Sequence, residues 1–318
     1  MSEYSGYLVF NQIHQLESDF ELSNISRCFD DETNEQSDPL QLEDSIKEVL
    51  LPARTVDQPV PREFLRIMDD EVRWFRYKVR EFTEETGIDS DGEQTTVHIP
   101  NNRICDIFIT SKGYVFFKGT KSDLNRVTDG FYTKLRDNGL DSTATELEFD
   151  PDFFLWLIYN QSQDISGSLL ISRLTDAEVV GEQDAVGRVN QVSGSDNVAR
   201  SAPVLTGLLR GKKITMVGGI FEVGGIQMSV DIRSEGRIHI KSDKDISKLE
   251  SEGRIVTSVS FLHEFCNLYD SWKSLPNSER YPPTAFFNQI YEGLGEAGFN
   301  LEFSVESVLE EYKQKRGE

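Results

Sequence analysis

The chain has 318 residues, 37% of them hydrophobic, and carries 55 Asp and Glu against 33 Lys and Arg, a formal charge of -22. With 20 Phe and 10 Tyr that content is enough to bury a core, so the acidity does not mark a disordered chain, and the length suits two domains. Nowhere do 18 apolar residues run together, which excludes a membrane-spanning helix and leads us to expect a soluble, cytoplasmic protein with no membrane partner.

Tyr7 to Phe10 reads as a short strand, and Glu17 to Asp57 as an acidic, partly mobile stretch with a loop from Asp30 to Pro39. After Pro59 and Pro61 the apolar positions Leu65, Met68, Val72, Phe75, Val79 and Phe82 step by three and four. That spacing predicts one long amphipathic helix, ended by Gly87 and the run from Asp89 to Glu93. From Arg103 strands are predicted, Ile104 to Ile109 turning through Thr110 to Gly113 into Tyr114 to Lys118. Ser122 or Asp123 then caps a helix that turns Leu124, Val127, Phe131 and Leu135 inward and stops at Gly139. Asp150 as N-cap and Pro151 at the first helical position open a buried helix, Phe153 to Tyr159.

Further strands are predicted over Ser168 to Glu182 and Ala185 to Val192, and a short helix over Ala202 to Arg210 closed by Gly211. A meander follows over Lys212 to Val223, Ile226 to Arg233 and Arg237 to Lys241, with Gly224 and Gly225 supplying the positive-φ positions of a two-residue turn. Helices over Ile255 to Leu275, Thr284 to Ala297 and Val305 to Lys315, the last capped by Ser304, complete the chain. The fold class expected is α+β, mixed antiparallel sheets (hairpin and meander) with packed helices. The domains expected are an acidic region with the long basic-striped helix over 1–102 and an α+β body over 103–318.

Six basic residues lie between Arg62 and Arg80. On a helix Arg62, Arg66, Arg73, Arg76 and Arg80 fall within about 80° of one another and off the apolar stripe. Such a face suits phosphate contact, because guanidinium forks grip phosphate oxygens and Trp74 and Tyr77 stand nearby. Alternatively the arginines pair with Asp69, Asp70 and the acidic N-terminal segment. Arg210, Lys212 and Lys213 form a second basic spot. Gly207 and Gly211 before Lys212 faintly echo a P-loop, but the spacing is one residue short and no Ser or Thr follows the lysine. The spot reads as a solvated turn or a backbone-phosphate contact.

No catalytic constellation stands out. Glu146, Glu148, Asp150 and Asp152 alternate along an extended stretch, but Asp150 is accounted for as a helix cap. His14, His98, His239 and His263 are isolated, and Cys28, Cys105 and Cys266 show no metal-binding or redox spacing, so they are expected as buried thiols. Neither a metal nor another cofactor is expected, and the chain is expected not to be an enzyme.

From Ile104 to Ser242 the order of motifs resembles the bacterial recombination-associated protein RdgC. The shared elements are the hairpin ending Gly113-Tyr-Val-Phe-Phe, the helix from Ser122 to Leu135, and the tryptophan helix Phe153-Phe-Leu-Trp-Leu157. The strand around Leu169 to Val180 follows, then Leu209-Arg-Gly-Lys-Lys-Ile-Thr215 and the strands from Phe221 to Ile240; Gln289 to Gly295 looks like that family's C-terminal helix. The resemblance implies a non-enzymatic, sequence-independent DNA-binding protein of recombination or DNA maintenance, a ring-shaped homodimer, with Arg210, Lys212 and Lys213 facing DNA. The chain departs from that pattern in its acidity. Spread-out acids and Arg in excess of Lys look like proteins of salt-accumulating halophilic archaea. The alternative reading is a protein-interaction or regulatory module, as in mobile-element defence, whose acidic surface meets a basic protein partner.

Overall fold

The computed structural model describes residues 7–17, 21–29, 43–51, 59–88, 90–140, 143–161, 168–184, 187–299 and 304–318. The predicted loop from Asp30 to Pro39 lies outside them. The chain divides into two compact units. One comprises Val9–Ala53 and Leu65–Glu146, and the other Met1–Leu8, Arg54–Phe64 and Leu147–Glu318.

The first unit is an antiparallel sheet with helices on one face. Its strands are β1 (Tyr7–Leu16), β2 (Glu43–Glu48), β3 (Val72–Ile88), β4 (Gln94–Thr110), β5 (Tyr114–Lys118) and β6 (Ala144–Glu146). They run in the order β2-β3-β4-β5-β1, with β6 paired to β1. Helices α1 (Leu22–Arg27) and α3 (Lys121–Asp137) cover one face, packing Leu22, Ile25, Leu124, Val127, Phe131 and Leu135 onto Phe75, Tyr77, Val79, Ile107, Ile109 and Phe117. The four inward residues predicted for α3 are all buried. Its N-cap is Thr120, whose hydroxyl accepts from the Asp123 amide, so the cap falls earlier than the sequence suggested.

The long helix predicted after Pro61 is corrected by the structure. Only α2 (Arg62–Arg66) and a π-helical turn, Ile67–Glu71, are helical; from Val72 the chain is strand. The three-and-four spacing is present, but so is a period of two. Phe75, Tyr77 and Val79 are buried, whereas Arg76, Lys78 and Arg80 between them face outward. Six ladder residues on β2 and seventeen on β4, together with β-branched and aromatic side chains, favour the pleated reading. Gly87 and the acidic run after it do not end a helix; they lead to the turn of a hairpin between β3 and β4, each 17 residues long. The boundary expected at 102/103 falls inside β4, where Asn102 and Arg103 are paired with Arg80 and Val79, so it cannot divide domains.

The second unit holds an antiparallel sheet in the order β11-β10-β9-β7-β8, built from β7 (Leu169–Val180), β8 (Val189–Val192), β9 (Lys213–Val223), β10 (Ile226–Arg233) and β11 (Ile238–Lys241). Gly224 and Gly225 close the β9–β10 hairpin with φ of 52° and 79°, the turn expected. The helix α4 (Pro151–Asn160) is capped by Asp150 and buried along most of its length. Its Phe153 packs on Phe265, Tyr269 and Trp272 of α6 (Ser251–Ser274). Helices α5 (Ala202–Leu209), α7 (Asn277–Arg280), α8 (Thr284–Glu296) and α9 (Glu306–Arg316) complete the unit, and the Ser304 hydroxyl accepts from the Glu306 amide at the start of α9. Together the units are α+β. Among the described residues no helix is long and apolar enough to cross a membrane.

Candidate nucleic-acid interface

On the face of the first sheet opposite α1 and α3 the period-two alternation of β3 presents Arg76, Lys78 and Arg80 in a row, at intervals of about 6.7 Å. Cross-strand register adds neighbours. Lys47 of β2 lies opposite Arg76, Ser45 opposite Lys78, and on β4 Asp106, Ile104 and Asn102 lie opposite Arg76, Lys78 and Arg80. One line across four strands therefore reads Lys47, Arg76, Asp106, Lys118.

A depression of about 470 Å³ lies over this surface. It is lined by Ser45, Lys47, Val49, Arg76, Lys78, Val79, Arg80, Asn102, Arg103 and Ile104. None of these ten is acidic, in a chain of charge -22. The cations are held in different ways. Arg76 donates from Nε to Asp106 at 2.8 Å and lies over the Trp74 ring at 5.5 Å, an arrangement that fixes the guanidinium while its terminal nitrogens carry four more donors. Arg80 donates to the Asn102 side chain at 3.2 Å, and Arg103 is engaged by Asp123 at 2.7 Å and Glu81 at 3.6 Å. Lys47 and Lys78 are exposed and have no ion-pair partner among the described residues.

Asp106 anchors the group from beneath. The residue is 6% exposed, and its carboxylate also accepts from Trp74 Nε1 at 3.2 Å and from Lys118 Nζ at 3.1 Å. Burial pushes this carboxyl up, but Lys118 and Arg76 outweigh that and hold it below the ordinary carboxylate range. It stays ionised and satisfied, so it orients Arg76 without facing the depression.

None of the remaining predicted residues lines this depression. Arg62 and Arg66 are exposed on α2, and Arg73 points to the other face of β3, donating to the Asp69 and Val72 carbonyls and approaching Glu48 at 3.6 Å. Arg210, Lys212 and Lys213 belong to the second unit. Arg210 pairs with Asp184 at 3.2 Å and Lys213 with Glu311 at 2.5 Å. The Lys212 side chain is only 2% exposed, and its ammonium donates to Asp184, to the Gly187 carbonyl and to Asn190. Three donors meet three acceptors there, which makes Lys212 a clasp between the loop positions Asp184 and Gly187 and strand β8. The sequence reading missed Lys47 and Asp106 altogether, and Lys78 as a site residue. The alternation Arg76-x-Lys78-x-Arg80 was the available signal for the last.

Among the described residues no group of His, Cys, Asp and Glu is placed to hold a metal ion. Cys105 and Cys266 are buried and Cys28 half-buried, and burial pushes the Cys105 thiol far up, away from a reactive thiolate. No family model and no curated protein matches this chain.

Proposed function

We propose that the protein binds DNA without sequence preference, through the phosphate backbone, at the face formed by Lys47, Arg76, Lys78 and Arg80. The observation that carries this reading is the lining of the depression, with cations and no carboxylate inside an otherwise acidic chain. Regularly spaced cations on a strand suit a regularly charged polymer, and the fixed Arg76 fork suits phosphate oxygens. The contacts proposed are to phosphate oxygens, which carry no sequence information, so affinity rather than sequence discrimination is the expected outcome. Membership of a DNA-maintenance or recombination process belongs to the same proposal, as does a non-enzymatic role.

The test is anisotropy of labelled duplexes of unrelated sequence, titrated with wild-type protein and with the double variant Lys47→Glu/Lys78→Glu. Duplexes of different sequence should bind alike within a few fold. For every phosphate that a variant no longer neutralises, the slope of log affinity against log salt should become shallower by about 0.9. The double variant should bind at least about tenfold more weakly while its far-ultraviolet circular dichroism stays that of the folded wild type, since both lysines are exposed. Absence of duplex binding by the wild-type protein at about 0.1 M salt, or equal affinity of the double variant, refutes the reading.

A further inference from the structure

The hairpin that carries the basic row also carries its opposite. Between Arg80 and Arg103 stand Glu81, Glu84, Glu85, Asp89, Asp91 and Glu93, with no Lys or Arg. Among the described residues β2 accompanies β3 from Phe75 to Arg80, and β5 accompanies β4 from Asp106 to Ile109. Beyond those residues β3 and β4 form a two-stranded ribbon whose outer edges pair with no described strand. Arg80 to Ile88 alone extends about 27 Å.

A ribbon of two strands is marginal in water without a surface to lie on. This one exposes Ile88, Val97 and Ile99, at 78%, 44% and 42%, and Ile104 at its root, at 48%. Glu85 stands opposite Val97, and Thr83 opposite Ile99, on one face of the arm. The depression at the root offers the complement, Ile104 beside Lys78 with Arg76 and Arg80 on either side.

We propose that the occupant of the basic face is the acidic arm of a second copy of this chain. Each hairpin has a negative tip and a positive root, so two copies related by a two-fold axis place each arm on the other's root, giving two identical contacts. The Debye length of about 8 Å at physiological salt confines the attraction to close approach, which the shared apolar residues support. Because the arm covers the cations proposed to meet DNA, arm and duplex compete. This consequence rests on the DNA-binding reading, whereas the self-association does not.

The test uses two charge-reversed full-length proteins, a root variant Lys47→Glu/Lys78→Glu and an arm variant Glu84→Lys/Glu85→Lys, with mass measured by sedimentation at about 0.15 M KCl. The wild-type protein should be dimeric at micromolar concentration, and each variant alone monomeric. An equimolar mixture should return to dimer mass, because the root variant's negative root accepts the arm variant's positive arm and the remaining contact is native. Circular dichroism melts of both variants confirm that they fold. A monomeric wild-type protein, a dimer that survives both reversals, or a mixture that stays monomeric overturns the proposal. In the same series, the arm variant should bind duplex at least about fivefold more tightly than wild type. If the masses behave as expected while no form binds duplex, the DNA reading fails and the arm contact stands.

Discussion

His14 shows how burial sets the chemistry of one residue. Its ring stacks on Tyr132 with centroids 5.5 Å apart, meets the edge of Phe117 at 5.2 Å, and its Nδ1 is 3.0 Å from the Tyr132 hydroxyl. Burial lowers its pKa from 6.5 to about 4, and no carboxylate offsets the loss of water. The neutral ring keeps the contact between Nδ1 and the Tyr132 hydroxyl in either tautomer, whereas Nε2 is buried with no hydrogen-bond partner among the described residues, so the imidazolium's second N–H would have nowhere to donate. The folded state therefore binds this proton less readily than the unfolded chain. Its stabilisation is complete above about pH 6.5 and is lost progressively as pH falls toward about 4. Lowering pH also relieves the repulsion of a chain at -22, which acts in the other direction, so the informative quantity is a difference. The melting temperature of wild type minus that of His14→Gln, which does not titrate, should decline from pH 7 to pH 5; a constant difference contradicts the assignment. Asp106 contributes elsewhere on the pH axis, because a depressed carboxyl loses its stabilisation only as pH falls below the ordinary carboxylate range.

At the scale of elements the decisive contact is α3 on β3, and it turns on Gly130. A Cβ at this position would overlap the Tyr77 hydroxyl, with the ring carbons just behind it at 3.2 and 3.3 Å. Alanine would gain about 1 kcal/mol in helix propensity, but forcing a helix away from a packed strand costs about 1–3 kcal/mol. The steric term wins because Tyr77 is fixed in the middle of a strand paired on both sides. Gly130→Ala should therefore lower stability by up to about 2 kcal/mol in urea unfolding. Tyr77→Phe removes the atom that overlaps, so the double variant should be more stable than the sum of the single effects. Strict additivity of the two would show that Gly130 is not a close-approach glycine. The same strand shows where the sequence was readable. α3 and the β9–β10 hairpin each carried one period and a turn or cap residue that agreed with it, and α4 an unbroken apolar run behind its Asp150 cap. β3 carried two periods, and only its partners β2 and β4, distant in sequence, decide between them. The same holds for the interface. Lys78 lay within reach of a period-two reading, whereas Lys47 and Asp106 join it through register, which a single sequence does not display.

For the whole molecule the question is how 55 acidic and 33 basic residues coexist with a stable fold. Part of the answer is local pairing, such as Lys213 and Lys315 with Glu311, and Lys315 with Asp152 at 2.5 Å. Such local pairing leaves the overall excess of negative charge in place. Exposed pairs contribute about 0–1 kcal/mol each and weaken in salt, so adding KCl removes a small favourable quantity. It also screens the mutual repulsion of the unpaired acids, which acts over the entire surface. The repulsive sum is the larger because most exposed pairs are few-ångström contacts, whereas the net charge of -22 acts between all remaining acids out to the Debye length. Raising KCl from about 0.1 M to above 1 M shortens that length from about 10 Å to about 3 Å. The melting temperature should rise over this range, steeply at first and then level off as screening saturates. Sodium sulfate, which strengthens apolar burial as well as screening, should raise it further at equal ionic strength. A melting temperature that is flat or falls with KCl would mean that local pairing, not long-range repulsion, governs the stability of this acidic chain.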